Sequence, residues 1–186
     1  MRDIEKRQRY REELIEHIAK SAPRYALTLT FEANSFEKYT RKALNSLIVR
    51  LNGSIYKKRY ENGLSDLKGY CTRERGKLLR KNTEGLMYCD HYHLIIFEGD
   101  GYLPDRDSFR RKVLKEMGYL GRDKSLAEFR TFDLQDYYNW GSDDLESYNT
   151  KIFDQWFLDD DYVMDSIGPI DRDRVLLGRD VFESQW

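Results

Sequence analysis

Cys89-Asp90-His91-Tyr92-His93-Leu94-Ile95-Ile96-Phe97 is the stretch from which the rest of the chain is read. In an extended strand, residues i and i+2 point to the same face. Cys89, His91, His93, Ile95 and Phe97 therefore project to one side, and Tyr92, Leu94 and Ile96 to the other. The second set is apolar and belongs against a core. That leaves two imidazoles side by side on the opposite, open face. Such a pair can grip one divalent cation, though two histidines alone leave a site incomplete.

Outward from this strand, the patterning alternates between periods of two and of 3.6 residues. Tyr25-Ala26-Leu27-Thr28-Leu29-Thr30-Phe31 reads as a strand. Asn34-Ser35 offers a helix cap, and Ala43, Leu44, Leu47, Ile48 and Leu51 form the apolar stripe of a helix ending near Gly53. A second strand is expected over Leu67 to Glu74, with Gly76 in a turn and a basic loop or flexible hairpin from Lys77 to Asp90. Gly99, Gly101 and Pro104 mark a loop. Asp105 or Asp107 then caps a helix through Phe109, Val113, Leu114 and Met117 that stops at Gly118. A strand over Ala127 to Leu134 and a helix over Leu145 to Trp156 follow, and beyond Leu158 no period is evident. The succession predicts an α+β fold, a ferredoxin-like or RRM-like antiparallel sheet with helices on one face and the site on the other. It divides into an N-terminal helical extension (1–22), one principal domain (23–157) and an acidic C-terminal extension (158–186).

With 186 residues, 40% apolar and 35% charged, the chain is long enough for one real core. No apolar run approaches a membrane span, and Met1-Arg2-Asp3-Ile4-Glu5-Lys6 lacks a signal-peptide core, so a cytoplasmic location with no membrane partner is expected. Cys71 and Cys89 are too few for a disulfide framework. The net charge of −1 conceals an asymmetry: residues 133–186 hold 4 basic and 14 acidic side chains, a net of −10, which leaves +9 on residues 1–132. A basic body suits a polyanionic partner. Arg41, Lys57, Lys58, Arg59, Arg73, Arg75 and Lys77 are the candidate backbone-tracking cations, with Lys42, Arg80 and Lys81 beside them. Tyr56, Tyr60 and Tyr70 are placed to stack on unpaired bases.

A carboxylate would complete a hard-ion site. Glu74, Glu84 and Glu32 are the candidates, and Glu74 is preferred because a strand end beside the histidine strand is better placed than a loop. A second element, Tyr148-Asn149-Thr150-Lys151, sets a phenol and an ammonium on one helix face at i and i+3.

The threonine-bearing first strand, His91-Tyr92-His93 on a strand, and Tyr148-x-x-Lys151 on a helix occur in that order between about Tyr25 and Phe153. This ordered set resembles the HUH endonuclease superfamily, in particular the rolling-circle replication initiator (Rep) proteins of plasmids and phages. Arg73-Glu74-Arg75-Gly76 also looks like the glutamate-bearing strand end that precedes the histidines in several members. The resemblance implies a nickase in which His91, His93 and Glu74 hold Mg2+ or Mn2+ and Tyr148 attacks a phosphate, leaving a 5′-phosphotyrosine link and a free 3′-hydroxyl. Lys151 would orient or neutralise the phosphate. The implied partners are single-stranded DNA at a replication origin and host replication proteins, with the oligomeric state left open.

The chain also departs from the family pattern. The segment between Glu74 and His91 is long, Tyr137 and Tyr138 are rival nucleophiles, no second tyrosine follows Tyr148 within a turn, and no phosphate-loop helicase motif is attached. Three other readings stand beside the replication initiator. One is a non-catalytic nucleic-acid-binding module on an RRM-like sheet. Another is a HUH transposase or relaxase of the same chemistry. The third is a structural zinc site of Cys71, Cys89, His91 and His93.

Overall fold

Alternation governs the sheet. In the computed structural model, which describes residues 9, 12–14, 16–33, 35–78, 87–137 and 167–176, strand β1 (Pro23–Phe31) buries Tyr25, Leu27, Leu29 and Phe31. Strand β3 (Met87–Phe97) buries Tyr92, Leu94 and Ile96 in the same cluster. Between them in sequence come helix α1 (Glu37–Tyr56) and strand β2 (Gly69–Leu78). After β3 come helix α2 (Arg106–Leu120) and strand β4 (Phe129–Asp136). The stripe of α1, from Ala43 to Leu51, packs with Phe109, Val113 and Leu120 of α2 on the Tyr92 side of the sheet. Both helices therefore serve one face.

The strands pair in the order β4-β1-β3-β2, continued by β5 (Ile167–Asp171) and β6 (Arg174–Val175), and every pairing is antiparallel. The fold is thus α+β with a six-stranded antiparallel sheet. β1 and β2 flank β3 and run in the same direction, so the helix-containing connection between them is split by the histidine strand. On the other face, Leu14 and Ile18 of an N-terminal helical segment pack against Ile95 and Phe97, with His17 edge-on to Tyr70. Among the described residues this cover lies at the Phe97 end, and toward the other end His93 is 7% exposed and His91 half-buried. Among the described residues no helix is long and apolar enough to cross a membrane.

Several local expectations are corrected. α1 begins at Phe36 as its N-cap without any side-chain cap bond, runs through Gly53, and ends at Lys57, whose φ is 52°. A buried stripe outweighs the cost of one helical glycine, about 1 kcal/mol. Asp105, not Asp107, caps α2, its carboxylate accepting from the Ser108 amide at 2.9 Å, and α2 passes Gly118 to reach Leu120. Gly76 is not in a turn: it lies within β2, paired with Cys89, and β2 and β3 stay in register out to Leu78 and Met87. Lys77, Leu78 and Met87 to Asp90 of the expected basic loop or hairpin are therefore paired strand, and residues 79–86 lie outside the described residues.

Within the stretch read as an acidic extension, β5 joins β2, and Ile170, Val175 and Leu176 are buried. Two asparagines of α1 seat this hairpin. Asn52 donates to the Arg172 carbonyl while accepting from the Leu67 amide, and Asn45 accepts from the Val175 amide. Such long-range bonds leave no local pattern to read. The expected helix over Leu145 to Trp156 lies outside the described residues.

Gly69 is the tightest point of the sheet. A Cβ there would stand 2.0 Å from the main-chain oxygen of Ile95, a contact that only backbone movement relieves. Overpacking of this kind costs about 1–3 kcal/mol and sometimes more. Gly69→Ala is expected to lower the urea-unfolding free energy by at least about 2 kcal/mol. Gly53→Ala, whose Cβ meets nothing within 4 Å, should hold or raise it.

Candidate functional site

Three strands bring polar side chains to one patch of the open face. Register pairs Glu74 with His91 and His91 with Thr30; in the next row it pairs Thr72 with His93 and His93 with Thr28. β4 extends the rows with Thr131 beside Thr30 and Asp133 beside Thr28. Because antiparallel partners share a face, this lattice follows from the same alternation that fills the core. Glu74 and His91 are separated by a stretch that looks long in sequence yet are direct cross-strand neighbours.

Each imidazole is held at Nδ1 by a threonine, Thr28 Oγ1 to His93 and Thr30 Oγ1 to His91, both at 3.0 Å. The outer nitrogens face different partners. His93 Nε2 lies 3.3 Å from a Glu74 carboxylate oxygen, and His91 Nε2 lies 3.0 Å from Cys89 Sγ. An ionised carboxylate only accepts, so His93 carries its proton on Nε2 in this arrangement and takes a bond from the Thr28 hydroxyl. Burial pushes the Cys89 thiol up, so it stays protonated, and it donates to His91 Nε2 or accepts from it according to the ring's tautomer. A threonine hydroxyl serves equally as donor or acceptor, so either ring can change tautomer without moving. Thr28 and Thr30 were not read as site residues from sequence; the signal was a Thr-x-Thr step of the same parity as the histidine pair.

The electrostatics favour an ionised glutamate beside the two imidazoles. The hydrogen bond from His93, and then the nearby charge of both histidines, holds the Glu74 carboxyl below the usual carboxylate range against burial. Burial pulls His91 below the ordinary histidine value, opposed by Glu74. Arg130, exposed at the irregularity where β4 shifts register opposite Thr30 and Phe31, is close enough to lower His91 further and to oppose the rise of Cys89. Sequence reading missed Arg130, because nothing local marks the bulge. One more group faces this patch: the Thr72 hydroxyl is buried without a hydrogen-bond partner. Among the described residues no group of three or more His, Cys, Asp or Glu side chains is already drawn together to hold an ion. The donor set of two imidazoles, a carboxylate and an unsatisfied hydroxyl on one face is chemically suited to one.

The other candidates are distributed more widely. Arg73 is on the opposite, helix-packed face, paired at 2.9 Å with Asp90 and at 2.8 Å with Glu37. Arg41, on α1, sits 4.0 Å from Glu37. Arg59 bonds Ser65, approaches Asp100 and lies 4.2 Å over the Tyr102 ring, at the far end of the sheet. Lys57 and Lys58 are exposed at that same end. Five residue steps along β2, roughly 17 Å, separate its start at Gly69 from Glu74. Arg75 and Lys77 lie on β2 at positions paired with Asp90 and Tyr88.

Among the tyrosines, Tyr56 is buried, Tyr60 bonds Asp173, and Tyr70 packs against His17 and Phe97. Tyr137 donates its amide to Arg24 at the Pro23 end of β1, away from the histidines. Cys71 is buried on the core face opposite Leu94, so it does not join Cys89, His91 and His93 in a zinc set. Glu32 is exposed beyond the end of β1. Tyr148, Lys151, Glu84, Arg80, Lys81 and Tyr138 lie outside the described residues. No protein-family model matches this chain, and no curated protein or solved structure matches it.

The depressed His91 value sets a pH dependence. As pH falls, the unfolded chain binds the proton first, so the contribution of His91 is complete above about pH 6.5 and is lost as pH drops through the folded-state value. Between pH 7 and pH 5 the thermal midpoint of the wild type is expected to fall more steeply than that of His91→Gln. Parallel curves from calorimetric scans would refute this assignment.

Proposed function

We propose that this chain is a metal-dependent HUH-type endonuclease that nicks and rejoins single-stranded DNA, as a rolling-circle replication initiator does. The observation that carries the reading is the pair His91 and His93 on one face of the histidine strand, with Thr28 and Thr30 on the inner nitrogens and Glu74 at the outer nitrogen of His93. Second-layer partners that fix ring orientation are characteristic of histidines meant to bind metal. The β-α-β-β-α-β succession with strand order β4-β1-β3-β2 supports the ferredoxin-like form of the fold.

His91, His93 and Glu74 would hold Mg2+ or Mn2+, which when bound polarises the phosphoryl oxygens and offsets transition-state charge. Thr28 and Thr30 would keep both rings turned outward, and with the His93 proton on Nδ1 the Thr28 hydroxyl would accept a hydrogen bond from it. Glu74, already ionised, needs no deprotonation to become a ligand. Arg130 is placed to draw the scissile phosphate toward this face. Tyr148 would supply the phenolic oxygen that bonds phosphorus and releases the 3′-hydroxyl, with Lys151 beside it to balance phosphate charge. The roles of these two residues rest on the sequence resemblance.

A covalent-adduct assay tests the reading. With Mn2+ and single-stranded fragments tiled across the encoding replicon, wild type is expected to form an adduct that peptide mass spectrometry places on Tyr148. Tyr148→Phe and His91→Ala should both abolish it. An adduct that survives Tyr148→Phe would move the nucleophile elsewhere. Loss of all adducts with DNA binding intact would favour the non-catalytic module.

Arg130 has its own test. If it contacts one phosphate, Arg130→Ala should flatten the dependence of log binding constant on log salt by about 0.7 for single-stranded DNA. Lys58→Ala, at the far end of the sheet, should leave the slope at the site unchanged for oligonucleotides too short to reach it.

A further inference from the structure

Tyr119, in the last turn of α2, is 44% exposed on the helix-covered side of the sheet. Three cationic side chains converge on its ring. The Arg50 guanidinium of α1 stands 4.9 Å from the ring centroid, the Arg122 guanidinium 5.6 Å and the Lys115 ammonium 5.9 Å. We infer that this cluster is a docking surface for single-stranded nucleic acid, with phosphates on the cations and an unpaired base against Tyr119. The surface lies across the sheet from the histidines, and the inference does not depend on their chemistry.

Two helices and a turn bring the cations together. Lys115 precedes Tyr119 by one turn of α2, so the two share a face. α2 ends at Leu120 and the chain folds back, the Arg122 amide donating to the Tyr119 carbonyl at 3.3 Å, which returns Arg122 to the ring. Arg50 crosses from α1 and meets the Glu116 carboxylate at 2.7 Å. Lys112 ties the same two helices together, donating to the Ser54 carbonyl at 2.8 Å. The surface is therefore built on elements that the core already holds in place through Leu47, Leu51, Val113 and Leu120.

Its charge is not balanced from within. Residues 108–122 hold five basic side chains, Arg110, Arg111, Lys112, Lys115 and Arg122, against the single carboxylate of Glu116. Glu116 is 5% exposed and is engaged by Arg50. Among the described residues neither Lys115 nor Arg122 forms an ion pair. Asp123, beside Arg122, turns its carboxylate to the Ser125 amide at 2.9 Å. The C-terminal end of α2 offers roughly half a negative charge, less than either free cation carries. Attraction to the ring face gathers the cations without neutralising them. An anionic ligand supplies the charge that the patch lacks.

The exposed ring decides which anion fits. A duplex presents phosphates to a surface and keeps its base faces stacked inside, out of reach of a tyrosine. An acidic polypeptide matches the charge and leaves the ring unused. An unpaired base lays its face on an aromatic or guanidinium plane while the neighbouring phosphates meet the cations, the combination that single-strand binding surfaces use.

The test uses the full chain and a fluorescent oligothymidylate, with chelator present so that no metal ion takes part. Lys115→Gln combined with Arg122→Gln is expected to weaken binding about tenfold or more, and to flatten the dependence of log binding constant on log salt by about 1.4, two contacts at about 0.7 each. Lys20→Gln combined with Lys68→Gln makes the same change in net charge at lysines already paired with Glu16 and Asp66, and should leave binding unchanged. Tyr119→Ala should cost about fivefold or more, whereas Tyr119→Phe keeps the ring and should bind as wild type does. A strand carrying 5-iodouracil, irradiated and digested with trypsin, should cross-link to the peptide of residues 116–122, which contains Tyr119. Equal loss in the two double variants overturns the inference, as does full binding by Tyr119→Ala. So does a duplex that binds as tightly as the single strand, or polyglutamate that displaces the strand as well as unlabelled strand does. This surface and the nickase fail separately: a Tyr148 adduct with unchanged binding in the α2 variants upholds the nickase and sinks the surface. Loss of binding in those variants without any adduct does the reverse.

Discussion

Tyr92, Leu94 and Ile96 cannot leave the core, and the geometry of the candidate site follows from that constraint. Each is at most 1% exposed. Moving β3 by one residue would take all three off the helix-packed face and would bury two imidazoles there in apolar surroundings. β1 is bound by the same rule through Leu27 and Leu29, and β2 through Cys71. With three neighbouring strands locked in parity, Thr28, Thr30, His91, His93, Thr72 and Glu74 have one common face left to them. The packing of the helices on one side thus sets the register of chemistry on the other.

A polar network lies on the core side of the histidine strand. Asp90 accepts from Arg73 at 2.9 Å and from Thr40 at 2.8 Å, Thr40 meets the Tyr92 hydroxyl at 2.9 Å, and Arg73 reaches Glu37. A buried ion pair is weak evidence of stability, because desolvation offsets much of its attraction. Losing one member is costly, about 3–5 kcal/mol, since it strands the other charge. The effect here is geometric. It ties the first turns of α1 to β2 and β3 at the level of His91, so the platform under the imidazoles is fixed from behind by directional bonds as well as by packing.

The parts of the fold that were legible in the sequence are those with short-range periodicity. The two-residue rhythm of β1 and β3 and the stripes of α1 and α2 place the core, the faces and the succession of elements through β4. Glycines misled at Gly53, Gly76 and Gly118, where local preference for a break yields to a buried stripe or to cross-strand pairing. β5 and β6 were invisible because they are short, contain Pro169, and are seated by Asn45 and Asn52 from far along the chain. Within the site, the histidines and Glu74 were readable. Their threonine partners, the Cys89 contact and Arg130 depend on register between strands, which the sequence of one strand does not record.

Charge shows the same division between count and placement. The basic excess of residues 1–132 suggested a polyanion groove, yet arginines within it are engaged inside the protein. Arg73 neutralises Asp90 and Glu37 on the core face, Arg59 stands against Asp100 and Tyr102, and Arg50 reaches Glu116 at 2.7 Å. A cation already paired in a partly buried setting has little field to offer a ligand. Arg130, by contrast, is exposed at the β4 irregularity and lies near enough to lower both His91 and Cys89. Among the described residues, the arginine that a shift of register in β4 leaves near the histidines therefore says more about this face than net charge does.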